Sequence, residues 1–188
     1  MRIVSILLFT LATGSLHGCF PVAAVGTGAG VLMAQDRRTA GAYVEDEAIE
    51  SKAFDRIGKQ FKKDVHVNVT SFNRVVLISG EVPSDSVKSE IGRLVAGIEN
   101  VRNVSNELVV SGTTSLTSRS SDSLVTSDVK LRFMSDKRFD AEHVKVVTEN
   151  GTVFLMGIVK RAEADAATEI ASTTGGVQRV VKLFEYLD

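Results

Sequence analysis

Cys19 is the one cysteine of this 188-residue chain, and His17, His66 and His143 are its three histidines. Side chains that readily bind a metal or attack an electrophile are therefore few. A single thiol forms no disulfide within one chain and builds no cysteine zinc cluster. His66 and His143 occupy no His-x-x-x-His or His-Glu-x-x-His spacing, and a zinc ion needs three or four converging donors. No metal and no cofactor are expected on that basis. The carboxylates Glu163, Asp165 and Glu169 fall on one helical stretch, where solvation is their ordinary state. No Gly-x-Ser-x-Gly elbow occurs, and Ser115, Ser118, Ser120, Ser121 and Ser123 read as linker. Gly26-Thr27-Gly28-Ala29-Gly30 lacks the glycine spacing and the flanking strand and helix of a dinucleotide loop. No catalytic residue is assigned, and the chain reads as a binding protein and not an enzyme.

The position of Cys19 matters more than its redox chemistry. Arg2 precedes a mostly apolar run from Ile3 through Ala12. That run is about half the ~20 residues needed to span a bilayer core, and a basic start with a short apolar run describes a secretory signal. Leu16-His17-Gly18-Cys19 resembles a bacterial lipobox, with His17 departing from the usual small residue. Residues 1–18 are then the signal peptide, and Cys19 becomes the acylated first residue of the mature protein. Several acyl chains make such an anchor durable, since each buried CH₂ contributes about 0.8 kcal/mol. Phe20, in place of an aspartate, points to the periplasmic face of an outer membrane. Residues 19–44, with four glycines and Asp36-Arg37-Arg38, read as a flexible tether.

The elements that would carry a binding surface come in two copies. Asn73 to Val82 superposes on Asn150 to Val159 at an offset of 77, which also pairs His66-Val67 with His143-Val144. Each copy opens with a helix whose apolar residues recur every four positions: Ile49, Ala53, Ile57 and Phe61, then Val125, Val129 and Phe133. Alternating strands follow at His66 to Phe72 and His143 to Glu149. The Asn150-Gly151 turn suits a tight hairpin with positive φ at both central positions. The return strands are Val75 to Val82 and Thr152 to Val159, and second helices run from Ser84 to Ile98 and from Arg161 to Ser172. Last strands, Val104 to Val110 and Arg179 to Leu187, close each unit. The expected fold is α+β: two tandem αββαβ domains, 45–111 and 123–188, each a small three-stranded mixed sheet covered by two helices and joined by a linker at 112–122. Domains of about 65 residues are marginal alone, so the copies are expected to pack on each other.

This repeat, with Gly80 and Gly157 ending its apolar hairpin strands and Gly97 and Gly175-Gly176-Val177 late in the copy, resembles the BON domain. Two copies behind a lipobox resemble the dual-BON-domain outer-membrane lipoproteins. The resemblance implies a periplasmic protein that binds anionic phospholipid through its second BON domain and supports outer-membrane integrity, with links to cell division and envelope stress. It implies that the first helix of copy two meets the lipid. There Leu124 and Leu131, seven apart, share a face distinct from the core stripe, with Lys130, Arg132, Lys137 and Arg138 nearby. Leu124 stands where the family's best-known member carries tryptophan, and this chain has none. In copy one, Asp46, Glu47, Glu50 and Asp55 mix with Lys52, Arg56, Lys59, Lys62 and Lys63, which reads as a solvated face. The expected partner is an anionic membrane surface, and the near-neutral net charge of -1 argues against nucleic acid. The competing function is an adaptor or periplasmic chaperone that docks envelope-assembly or peptidoglycan-remodelling proteins.

Overall fold

The computed structural model describes residues 36–61, 65–111 and 116–188; the expected signal, Cys19 and most of the expected tether lie outside these. The first domain runs α1 (Ala40–Phe61), β1 (His66–Phe72), β2 (Val75–Val82), α2 (Asp85–Ala96), β3 (Asn103–Asn106) and β4 (Val109–Val110). The second runs α3 (Leu116–Ser135), a 3-10 turn (Ala141–His143), β5 (Val144–Glu149), β6 (Thr152–Val159), α4 (Arg161–Ser172) and β7 (Arg179–Tyr186). Each hairpin is antiparallel, and the closing strand lies parallel to the hairpin's second strand, which is therefore central. Among the described residues, no helix is long and apolar enough to cross a membrane.

Alternation along the central strands decides the packing. In β2, Val76, Ile78 and Val82 face their own helices and join Ile49, Ala53, Ile57, Ile91 and Val95. In β6, Val153, Leu155 and Val159 do the same with Val125, Val129, Phe133 and Ile170. The alternate residues face the other way. Leu77, with Phe72 of β1, meets Phe154 and Met156 in a third buried cluster, which Val147, Ile158, Val181 and Leu183 complete. The two sheets thus lie back to back with helices outside, and both faces of β2 and β6 are dry. That explains why these strands read as nearly continuous apolar runs. Each domain gains from the other the burial that a 65-residue core lacks.

Polar contacts rim this junction. The Asn68 amide donates to Glu149 at 2.7 Å, the Asn73 amide to Glu185 at 2.9 Å, and Arg102 pairs with Glu185 at 3.1 Å. Lys145 reaches Glu50 at 3.4 Å.

Both hairpin turns place two residues at positive φ, 49° and 66° at Asn73-Arg74 and 49° and 69° at Asn150-Gly151. The second pair is the expected turn; the first asks the same of an arginine, whose Cβ disfavours it. Gly80 and Gly157 are fixed by close approach, since a β-carbon there would collide with the His66 carbonyl on the partner strand or with the His143 carbonyl just before it.

Several expected boundaries are corrected. Residues 36–44 are not tether but part of the fold. Arg38 is largely buried, its guanidinium lying over Phe72 at 4.2 Å and Tyr43 at 4.9 Å and bonding Asp46 at 2.9 Å. Arg37 crosses to the second domain, donating to the Ile158 carbonyl and, through both Nη atoms, to Glu163. The expected linker 112–122 overlaps α3, which already begins at Leu116. Serines that favour linkers are tolerated there because their hydroxyls bond the carbonyl one turn back, Ser123 to Arg119 at 3.1 Å and Ser127 to Ser123 at 2.9 Å. The last strand of the first domain is interrupted between β3 and β4, where Leu108 turns into the core. His143 ends the 3-10 turn, capped by Asp140, and does not start a strand.

Glu163 was expected to be solvated and is instead half-buried. The paired Arg37 hydrogen bonds hold its carboxyl down to about 2, from an ordinary value of 4.5. A depressed native value stabilises the fold above the unfolded value, and this contribution is lost as pH falls from about 4.5 through about 2. Arg37→Ala is therefore expected to move the Glu163 midpoint, read by carboxyl NMR, back toward 4.5. An unchanged midpoint would contradict the pairing.

Candidate functional site: the outer face of the second domain's first helix

Val125, Val129 and Phe133 turn inward from α3 and are buried, as their four-residue spacing requires. A helix turns about 100° per residue, so positions 124, 131 and 134 project from the opposite side. Leu124, Leu131 and Met134 are 68%, 62% and 73% exposed, three large apolar side chains on the outer side of one helix. Met134 was not singled out from the sequence. Its signal was its place one turn beyond Leu131 on the same outer side. Seven residues of helix separate the leucines by about 10 Å along the axis. Helical spacing puts Lys130 on the Met134 flank and Asp128 on the other, both exposed. Lys130 and Met134 also line a cavity of about 460 Å³ shared with Tyr43 and Phe72 of the first domain.

The four cations expected beside the leucines divide into two pairs. Lys130 and Lys137 are exposed and, among the described residues, join no ion pair. Arg132 turns away from the leucines and donates to the Ile170 carbonyl at 2.9 Å and to the Thr174 and Thr173 hydroxyls at 2.6 and 3.0 Å. It caps the C-terminal end of α4, where a cation also meets the negative end of the helix dipole. Arg138 does not share the helix wheel at all, because α3 ends at Ser135. It pairs with Asp136 at 2.9 Å and with Glu169 of α4 at 2.8 Å. Those hydrogen bonds raise its pKa, and that from Arg138 lowers the Asp136 carboxyl. Two of the four are thus committed to protein partners.

A carboxylate that sequence reading assigned to a solvated face proves to organise the fold. Asp46 is 2% exposed. Its oxygens accept from the backbone N–H of Asn73 at 2.8 Å and of Arg74 at 2.7 Å, from the Ser71 hydroxyl at 2.6 Å and from Arg38. In the second domain, Asp122 does the same for Asn150 and Gly151, both at 2.8 Å. Each first helix therefore clamps the turn of its own hairpin, which fixes the rotation of the helix and hence which face looks outward. Most of the other copy-one charges are exposed as expected: Glu47, Lys52, Asp55, Arg56 and Lys59. Glu50 is half-buried and accepts from the Ser71 N–H at 2.7 Å, while Lys62 and Lys63 lie outside the described residues.

A duplicated αββαβ module that presents an apolar helix face is the class of protein defined by fold and site. The BON domain family matches this chain twice, at residues 45–112 and 121–188. The outer membrane lipoprotein DolP of Haemophilus influenzae is 41% identical over 94% of this chain and 93% of its own length. The 21 kDa hemolysin of Actinobacillus pleuropneumoniae is 36% identical over 81% of this chain and 79% of its own. Osmotically-inducible protein Y of Escherichia coli is 29% identical over 90% and 87%. The chain belongs to the BON-domain family, among its two-domain outer-membrane lipoproteins.

Proposed function

We propose that the protein is held by an acylated Cys19 at the periplasmic face of the outer membrane, where α3 docks onto anionic phospholipid and so supports membrane integrity, without catalysis. The observation that carries this reading is the exposure of Leu124, Leu131 and Met134 on one side of α3, beside unpaired Lys130 and Lys137. Apolar side chains of this kind enter the acyl boundary, while ammonium groups meet phosphates, each contributing about 1 kcal/mol near the surface. Arg132 and Arg138 serve the fold in this account and not the lipid.

The test uses the mature chain without its acyl groups and vesicles of phosphatidylglycerol or phosphatidylcholine. Sedimentation with the anionic vesicles is expected to exceed that with the neutral ones. Lys130→Glu combined with Lys137→Glu should weaken it by about tenfold or more. Equal binding to both vesicle types would overturn the reading.

A second reading, an adaptor for envelope-assembly or peptidoglycan-remodelling proteins, is favoured by Phe54 of α1, which is 80% exposed amid mixed charge. A photo-crosslinker at Phe54 that captures an envelope protein would support it.

A further inference from the structure

We propose that His66, Glu81 and Glu149 form a binding site for a divalent transition-metal ion, with zinc the best fit, that bridges the two BON domains. His66 and Glu81 face each other across the β1–β2 hairpin. Glu149 ends β5 of the second domain and meets them at the junction. Donor atoms of all three lie within 4.8 Å of one another, and His66 Nδ1 is 2.9 Å from Glu81 Oε2. No spacing in the sequence marks this group, because the donors come from three strands and two domains and meet only when the sheets pack back to back.

The donor set selects the ion. One imidazole nitrogen and two carboxylate oxygens suit zinc, which takes three protein ligands and a fourth exchangeable one at about 2.0–2.2 Å. Magnesium and calcium favour six or more oxygens. Glu81 is 2% exposed, and His66 and Glu149 are half-buried, so the ion would exchange little of its protein coordination for water. Tetrahedral bonds of that length put donors about 3.3 Å apart, so the group closes by an inward turn of the Glu149 carboxylate. Support for that carboxylate is already present. Asn68 donates to Glu149 Oε2 at 2.7 Å and the Ser79 hydroxyl at 3.4 Å, which leaves Oε1 to turn toward the histidine. Such outer partners orient metal ligands. A cavity of about 270 Å³, lined by His66, Asn68, Thr126, Glu149 and Arg119, gives room for the fourth ligand.

The test uses the whole lipoprotein, extracted in detergent, stripped with a chelator and then given zinc chloride. One zinc per chain should survive gel filtration, and the unfolding midpoint should rise by about 5–10 °C at saturating zinc. Glu149→Gln and His66→Gln should each keep the metal-free circular dichroism and weaken zinc binding at least tenfold. Millimolar magnesium should not displace the zinc. No retained zinc at micromolar concentration, or retention unchanged in both variants, would overturn the proposal.

Discussion

Asp46→Ala is expected to lower the unfolding free energy by about 3–5 kcal/mol, the range seen when one partner of a buried, hydrogen-bonded charge is removed. The substitution strands two backbone N–H groups of the Asn73-Arg74 turn and the Ser71 hydroxyl, and leaves the Arg38 guanidinium with Asp36 as its remaining carboxylate. Each orphaned buried donor costs about 1–3 kcal/mol. The turn is also the one that needs positive φ at an arginine, so losing its clamp releases a conformation that the sequence alone disfavours. Asp122→Ala should cost less, about 2–4 kcal/mol, because the Asn150-Gly151 turn is intrinsically favourable and no arginine is stranded. Urea unfolding with an unchanged m-value would read both. A loss below about 1 kcal/mol at Asp46 would show that the clamp does not hold the helix against its hairpin.

These two aspartates mark where sequence reading reached its limit. Copy two's Asn-Gly turn, both hairpins and both second helices were legible, because apolar period and turn chemistry are local signals. The duplicated carboxylate was not. Asp46 stands among Glu45, Glu47 and Glu50, where only tertiary contact distinguishes a buried anion from solvated neighbours. Asp122 sits in a serine-rich stretch that reads as linker until the hairpin it clamps is in place. The same holds for Arg132 and Arg138. Their charge suggests a lipid phosphate, but α4 offers Arg132 a helix terminus and Arg138 a carboxylate, partners some 30 to 40 residues away in sequence. Leu124 and Leu131 could be placed on a shared face from spacing alone. Their exposure depended on how the domains pack, and the junction forms through the sheets, leaving α3 outside.

Leu124→Ser with Leu131→Ser is the second large effect expected, on binding and not on folding. Burying one leucine side chain is worth about 1.5–3 kcal/mol. Two that enter the acyl boundary to half that extent contribute about 1.5–3 kcal/mol, so the double variant should bind anionic vesicles about 10- to 100-fold more weakly. Neither side chain belongs to a buried cluster, so the urea midpoint should stay within the range of surface substitutions. A large loss of stability would mean that these leucines pack against protein instead.

The absence of tryptophan from the chain makes the most direct measurement simple. Leu124→Trp and, separately, Leu131→Trp introduce a single indole on the outer face of α3, and Phe54→Trp places one on α1 as a control. On phosphatidylglycerol vesicles carrying brominated acyl chains, the first two should blue-shift and be quenched, while the control stays unquenched. Quenching of the Phe54→Trp indole, with both α3 indoles left in water, would contradict the assignment of α3 as the membrane-facing helix.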